Sequence, residues 1–454
     1  MNDAASEHTP SASADERSEN GPASSSFALR HGLLLAAAAV ATMLFTLAFI
    51  GQWFPLGVPG EWHWGRLGPW DPPITSWIAL LPAAVFAAGL VGWVLWTLGR
   101  VETASRRFFA SAVLGVTVLG GGFQLFLEVT APTSLQKWGV LYYGARAAAR
   151  YGFSDPGTLL RDHAEVISTF EPNHVSVNPV GWVLVYRSLM TFYEAHPAVA
   201  EVVWRREPHE VAWILREIGG VGQTSAADHA AITTVALASR FLGLLIPLPI
   251  AWFVVQRYGR SAAIVAAAAA LLIPVASLLA PVPDTVYPTF ASLIWALSYH
   301  AARNRSWWAA GAAGVLVGVG MLFSLCFVVV AALAAVMVAL QAAQGSRPSW
   351  ASIIAVVAGW LIPLAIMAVC GHRAWDTWQV NLAKNREFNF YSGCSYGVWV
   401  VVNLLELAVA LGLPLALLLL IRSVAEVRGL IARRGADPLL LAWLGIVALL
   451  DVSG

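Results

Sequence analysis

The 454-residue chain is 58% hydrophobic and 12% charged, with a formal net charge of +1 and a mean hydropathy of +0.68. A soluble fold with that balance lacks the polar surface to cover itself, and no basic cluster offers itself to nucleic acid. The composition describes an all-α polytopic membrane protein whose apolar runs cross a bilayer as helices.

Residues 1–26 are rich in Ser, Ala, Glu and Asp and have no apolar face, which reads as a disordered tail. The tail is too acidic for the basic start of a signal peptide, so the apolar run after it reads as a retained span. Candidate spans follow at 31–51, 74–98, 108–128, 232–255, 261–280, 285–301, 309–341, 350–370, 396–421 and 438–454. The 309–341 run is too long for one span and short for two, and its GAAGVLVGVG stretch suits two short helices packed closely. The expected total is about eleven spans. The expected domains are a tail at 1–26, N-terminal membrane helices at 27–127, a large outer loop with amphipathic interfacial helices at 128–231, and a helical bundle at 232–454 that ends as if cut short.

Arginines orient the chain. Arg100, Arg106 and Arg107 share one loop, Arg257 and Arg260 another, then Arg303 with Arg305, Arg347, and finally Arg422, Arg428, Arg433 and Arg434. Every second loop is basic, which places those loops and the N-terminus in the cytoplasm of a cell-membrane protein. The outer face receives 52–73, the 128–231 loop, the PVPD turn at 281–284 and the 371–395 loop. Cys326 reads as a small buried hydrophobe, while for Cys370 and Cys394, which flank the last outer loop, a disulfide and two thiols both stay open.

The residues that suggest chemistry gather on that outer face. Glu128, in QLFLEVTAP, ends an apolar run; a helix C-terminus disfavours an anion, so capping does not account for it. In FEPNHVSVNPVGW, His174 and Asn178 precede an apolar helix. His174 reads either as a phosphate donor or acid–base group, or as a solvated loop histidine. Asp284, in LLAPVPDTVYPTF, serves equally as a helix cap or a site residue. GHRAWDTWQVNLAKNREFNFYSGCSYGVW supplies Arg373, Asp376, Asn381, Lys384, Asn385 and Arg386 beside tryptophans and a tyrosine, suited to a lipid phosphate or to an interfacial belt. No P-loop, GxGxxG, CxxC, HExxH or nucleophile-elbow pattern appears in a usable setting.

The arrangement resembles the polytopic GT-C glycosyltransferases, the superfamily of protein mannosyltransferases and aminoarabinose lipid transferases. The matching features are Glu128 just outside an early span, the long outer loop, NHVSVNPVGW, the Pro283–Asp284 turn and the Trp378–Leu382 WxxNL stretch, covering most of 75–454. The resemblance implies inverting transfer of a sugar from a polyprenyl-phosphate donor to a glycan, lipid or protein acceptor, with Glu128 as the base. His174, Asn178, Asp284, Lys384 and Arg386 become substrate-binding candidates. No metal ligand is assigned, and a divalent cation is the one cofactor left open. The chain departs from the family in lacking a second acidic residue beside Glu128 and in having NPVG where HPPG is usual. A transporter or flippase, or a surface-polysaccharide polymerase or ligase, is the competing reading.

Overall fold

The computed structural model describes residues 22–50, 57–58, 62–63, 77–130, 155–171, 175–207, 225–280, 282–343, 349–391, 396–432 and 437–453. They are helical apart from a two-residue antiparallel pairing of Gly57–Val58 with Trp62–His63. Three long apolar helices open the chain: α1 (Pro22–Ile50), α2 (Leu81–Leu98) and α3 (Arg106–Thr130). Three shorter helices follow, α4 (Pro156–Ser168), α5 (Gly181–Ala195) and α6 (Pro197–Trp204). Asp155 starts α4 by accepting the backbone N–H groups of Gly157 and Thr158, with Pro156 in the first turn where no donor is missed.

A capping box between Ser225 and Asp228 starts α7 (Ala226–Leu244). Pro247 then separates it from α8 (Pro247–Tyr258). Gly259, at φ 89, turns the chain into α9 (Arg260–Ala270), which breaks before the short α10 (Pro274–Leu279). Carbonyls at that break lose their helical donors and, inside an apolar bundle, must find others. Gln124 donates to the Leu271 carbonyl and Thr42 to that of Leu272. A 3₁₀ turn, Pro283–Val286, leads into α11 (Tyr287–Asn304), followed by α12 (Trp307–Phe323), α13 (Cys326–Ala343) and α14 (Trp350–Val369). The chain closes with α15 (Ala374–Tyr391), α16 (Tyr396–Leu411), α17 (Leu413–Ile431) and α18 (Pro438–Ser453).

By length and apolarity five described helices can cross a membrane, or six if one bent pair counts as a span, against the eleven that hydropathy suggests. The difference has local causes. The 261–280 run is two pieces, and 11 residues of α9 rise only about 16 Å, well short of a hydrocarbon core of roughly 30 Å. The 309–341 run is indeed two helices, broken at Ser324. The 396–421 run is bent by 118° at Gly412, whose φ of 80 suits glycine.

Among the described residues, the arginines of one basic loop meet two neighbouring loops, while Arg347, Arg433 and Arg434 lie outside the described residues. Arg260 donates to the carbonyls of Val101 and Ala104, at 3.1 and 2.6 Å, and Arg257 pairs with Asp437 at 3.2 Å. At mid-bundle α12 and α14 touch backbone to backbone: a Cβ on Gly314 would collide with the Val356 carbonyl, and one on Gly359 with that of Gly311. Gly314→Leu is therefore expected to lower stability by about 3 kcal/mol through overpacking. Gly92→Ala, at a site with nothing within 4 Å, is expected to raise it by about 0.5 kcal/mol. Thermal unfolding in detergent compares the two.

Candidate functional site

The end opposite the arginine loops is built on α7. Glu128, 2% exposed, forms a buried ion pair with Arg240 of α7. A charge placed there alone would be expensive, and the guanidinium supplies the counter-charge. One turn further along α7, Gly243 packs against the Thr285 backbone, a Cβ there standing 3.0 Å from the carbonyl oxygen. Thr289 Oγ1 donates to the Leu242 carbonyl at 2.9 Å. These contacts seat the 3₁₀ turn carrying Asp284 against the helix that holds Glu128. The turn and α11 start without a side-chain cap, so the capping role open to Asp284 is not used. Asp284 is exposed and faces the Tyr287 hydroxyl.

Tyr287 is the hinge of a polar cluster. Trp182 Nε1 donates to its hydroxyl at 2.7 Å, and the hydroxyl donates to the Phe323 carbonyl at 3.3 Å. Beneath this cluster, a cavity of about 410 Å³ lies between α5, α7, α11, α12 and α13. Its wall is almost wholly apolar, with Trp182, Leu189, Val235, Phe290, Phe323 and Phe327 among the lining. Such a space suits an apolar chain whose polar end rests near Tyr287 and Asp284.

The 175–180 loop is clasped from outside. Asn381 Nδ2 on α15 donates to the carbonyls of Ser176 and Asn178, at 2.8 and 3.0 Å. Asn178 thus works through its backbone and sits half-buried. Lys384, one turn after Asn381, pairs with Glu387 on its own helix at 3.0 Å, and Arg386 is exposed. His174 lies outside the described residues. Cys326 and Cys370 are free thiols, Cys326 being exposed rather than the buried hydrophobe the sequence suggests, and Cys394 also lies outside the described residues.

Two histidines behind this site carry no mark in the sequence. His163 of α4 is fully buried and meets His372 edge-on at 6.0 Å, while His372 Nδ1 donates to the Leu160 carbonyl at 3.1 Å. Burial first, then the nearby His372, pushes His163 down to about 3. Burial also holds His372 below the ordinary value, against the opposing effect of the hydrogen bond it donates to the Leu160 carbonyl. A second buried pair joins Glu207 to His229 at 2.7 Å, with the imidazole stacked on Trp204. Arg240, Trp182 and Tyr287 were equally unmarked. Arg240 alone had a readable signal, as an arginine inside the apolar stretch ALASRFLGLL.

Among the described residues no three His, Cys, Asp or Glu side chains converge. Compared with family models, curated proteins and solved structures, the chain matches none.

Glu128→Ala and Arg240→Ala are each expected to cost about 3–5 kcal/mol, because each leaves the other charge buried alone. The double substitution should cost less than the sum, as a double-mutant cycle in denaturant unfolding will read. A pH dependence follows from His163. Its folded value, about 3, lies below the ordinary 6.5, so the stability it contributes is complete above 6.5 and lost as pH falls toward 3. The slope is at most about 1.4 kcal/mol per pH unit. Melting temperature followed from pH 7 to 4 should fall, and His163→Phe should flatten the fall.

Proposed function

We propose that the protein is an integral membrane glycosyltransferase of the GT-C kind, moving a sugar from a polyprenyl-phosphate donor to an acceptor on the extracytoplasmic face. The observation that carries this reading is the apolar cavity of about 410 Å³, lined in part by Trp182 and by Tyr287, whose hydroxyl faces Asp284. A soluble sugar nucleotide has no use for such a wall, whereas a lipid-linked sugar does. The basic loops that meet through Arg260 and Arg257 support an outward-facing site and a cytoplasmic N-terminus. About eleven membrane crossings, some by short or broken helices, belong to the same reading.

In the proposed reaction the acceptor hydroxyl attacks the anomeric carbon as the bond from that carbon to phosphate oxygen breaks. The acceptor proton passes to Glu128, and polyprenyl phosphate leaves with the bonding electrons. Glu128 is held by Arg240 in the unliganded protein. An arriving phosphate competes for that guanidinium, which frees the carboxylate as base and puts a cation beside the leaving group. Asp284 at the rim orients the acceptor, while Asn178, Lys384, Arg386 and His174 remain candidates for the headgroup face.

Glu128→Gln is expected to reduce transfer from polyprenyl-phosphate sugar to membrane extract by at least about 100-fold, and Asp284→Asn by less. Unchanged transfer in Glu128→Gln removes that residue from the chemistry. One observation favours a transporter instead: the Glu128–Arg240 pair lies buried between two apolar helices, as coupling charges do. Substrate flux into vesicles without any transfer would select that alternative.

A further inference from the structure

Three polar atoms on α15 have no hydrogen-bond partner among the described residues: Thr377 Oγ1, Trp378 Nε1 and Asn381 Oδ1. Thr377 is 1% exposed and Asn381 0%. Asn381 lies one turn beyond both Thr377 (i, i+4) and Trp378 (i, i+3), so the three residues fall within an arc of about 100° on the helix. They are held there. Asn381 cannot turn its amide over, because Nδ2 is committed to the carbonyls of Ser176 and Asn178. The Trp378 ring packs against the buried cluster of Ile294, Val317, Met321, Phe327 and Ala334, of which Phe327 also lines the apolar cavity. Buried polar atoms left without partners are costly, and three on little more than one helical turn call for a ligand that completes them.

The chemistry of the three atoms narrows the ligand. An indole N–H only donates, an amide oxygen only accepts, and a threonine hydroxyl does both. A bare phosphate dianion only accepts and would leave Asn381 Oδ1 unmet; a cation would leave Trp378 Nε1 unmet. A ring bearing adjacent hydroxyls offers donors and acceptors side by side and satisfies all three. We propose that this face of α15 is the sugar subsite of the donor lipid, with Trp378, Thr377 and Asn381 bonding hydroxyls of the glycosyl ring while the polyprenyl chain occupies the cavity below. The proposal rests on the transferase reading and adds to it the residues that distinguish the sugar from its carrier.

The test uses the full chain in nanodiscs and two kinds of probe: polyprenyl phosphate alone, and polyprenyl phosphate carrying mannose, glucose or arabinose. Trp378→Phe and Thr377→Val keep ring and branched shape, and Asn381 is left intact because it clasps the loop. Each substitution is expected to weaken binding of the preferred sugar-bearing lipid about tenfold and to leave binding of bare polyprenyl phosphate unchanged. Melting temperature should not fall, since each change deletes a buried unpaired atom; a purely structural role would lower it. Equal effects on both probes, or none on either, overturn the subsite and leave the transferase reading standing. Failure of the wild type to bind either probe removes both.

Discussion

The ion pair between Glu128 and Arg240 joins the first helical layer to the helix around which the outer end is assembled. Neither charge is tolerable alone between apolar helices, so α3 and α7 are obliged to meet at this depth and in this rotation. That rotation decides what the rest of α7 presents. Thr234, Val235, Ala238, Ser239 and Leu242 become a cavity wall, and Gly243 becomes the seat for the turn carrying Asp284. Gln124, one turn before Glu128, bridges α3 to the broken helix pair α9 and α10. Glu128 and Gln124 together tie α3 to α7 and to the broken pair α9 and α10.

The same constraint, that backbone and side-chain polar groups in an apolar medium must be answered from within, explains the irregular parts of the bundle. Where Pro274 interrupts a helix, Gln124 and Thr42 reach the carbonyls at the break. Where the 175–180 loop exposes carbonyls, Asn381 reaches them. Three of the breaks adjoin the cavity, which is lined by Val286 of the turn at Pro283, by Phe323 and Phe327 on either side of the Ser324 break, and by Trp182 just after the loop before α5. Irregular backbone at membrane depth is tolerated where it lines a cavity, which accords with a binding role for this end.

Membrane class and helical fold were legible from composition and periodicity, because they depend on summed local properties. Glu128 was legible as an anomaly. Its meaning was not, because Arg240 lies 112 positions away and was absorbed into an apolar run judged by length. Asn178 and Asn381 were both noticed, yet their 203-residue separation hid that one side chain clasps the other's backbone. Of about eleven expected crossings, five or six described helices qualify by length and apolarity, since an apolar run does not reveal whether a proline or glycine will break it, as at Pro274 and Gly412. Tyr287, Trp182, His163 and His372 read as ordinary residues, because their role comes from tertiary neighbours alone.

The claim on which the account rests is that the apolar cavity beneath Tyr287 holds the chain of a lipid-linked substrate. Photo-crosslinking of the purified protein with a diazirine-bearing polyprenyl phosphate, followed by peptide mapping, tests it most directly. The account predicts labels on α5, α7 and α11 at cavity positions such as Leu189, Ala238 and Phe290, competed away by unlabelled polyprenyl phosphate and lost in Ala238→Trp. Labels confined to outward residues such as Val85 and Ile354, unaffected by competitor, would contradict it.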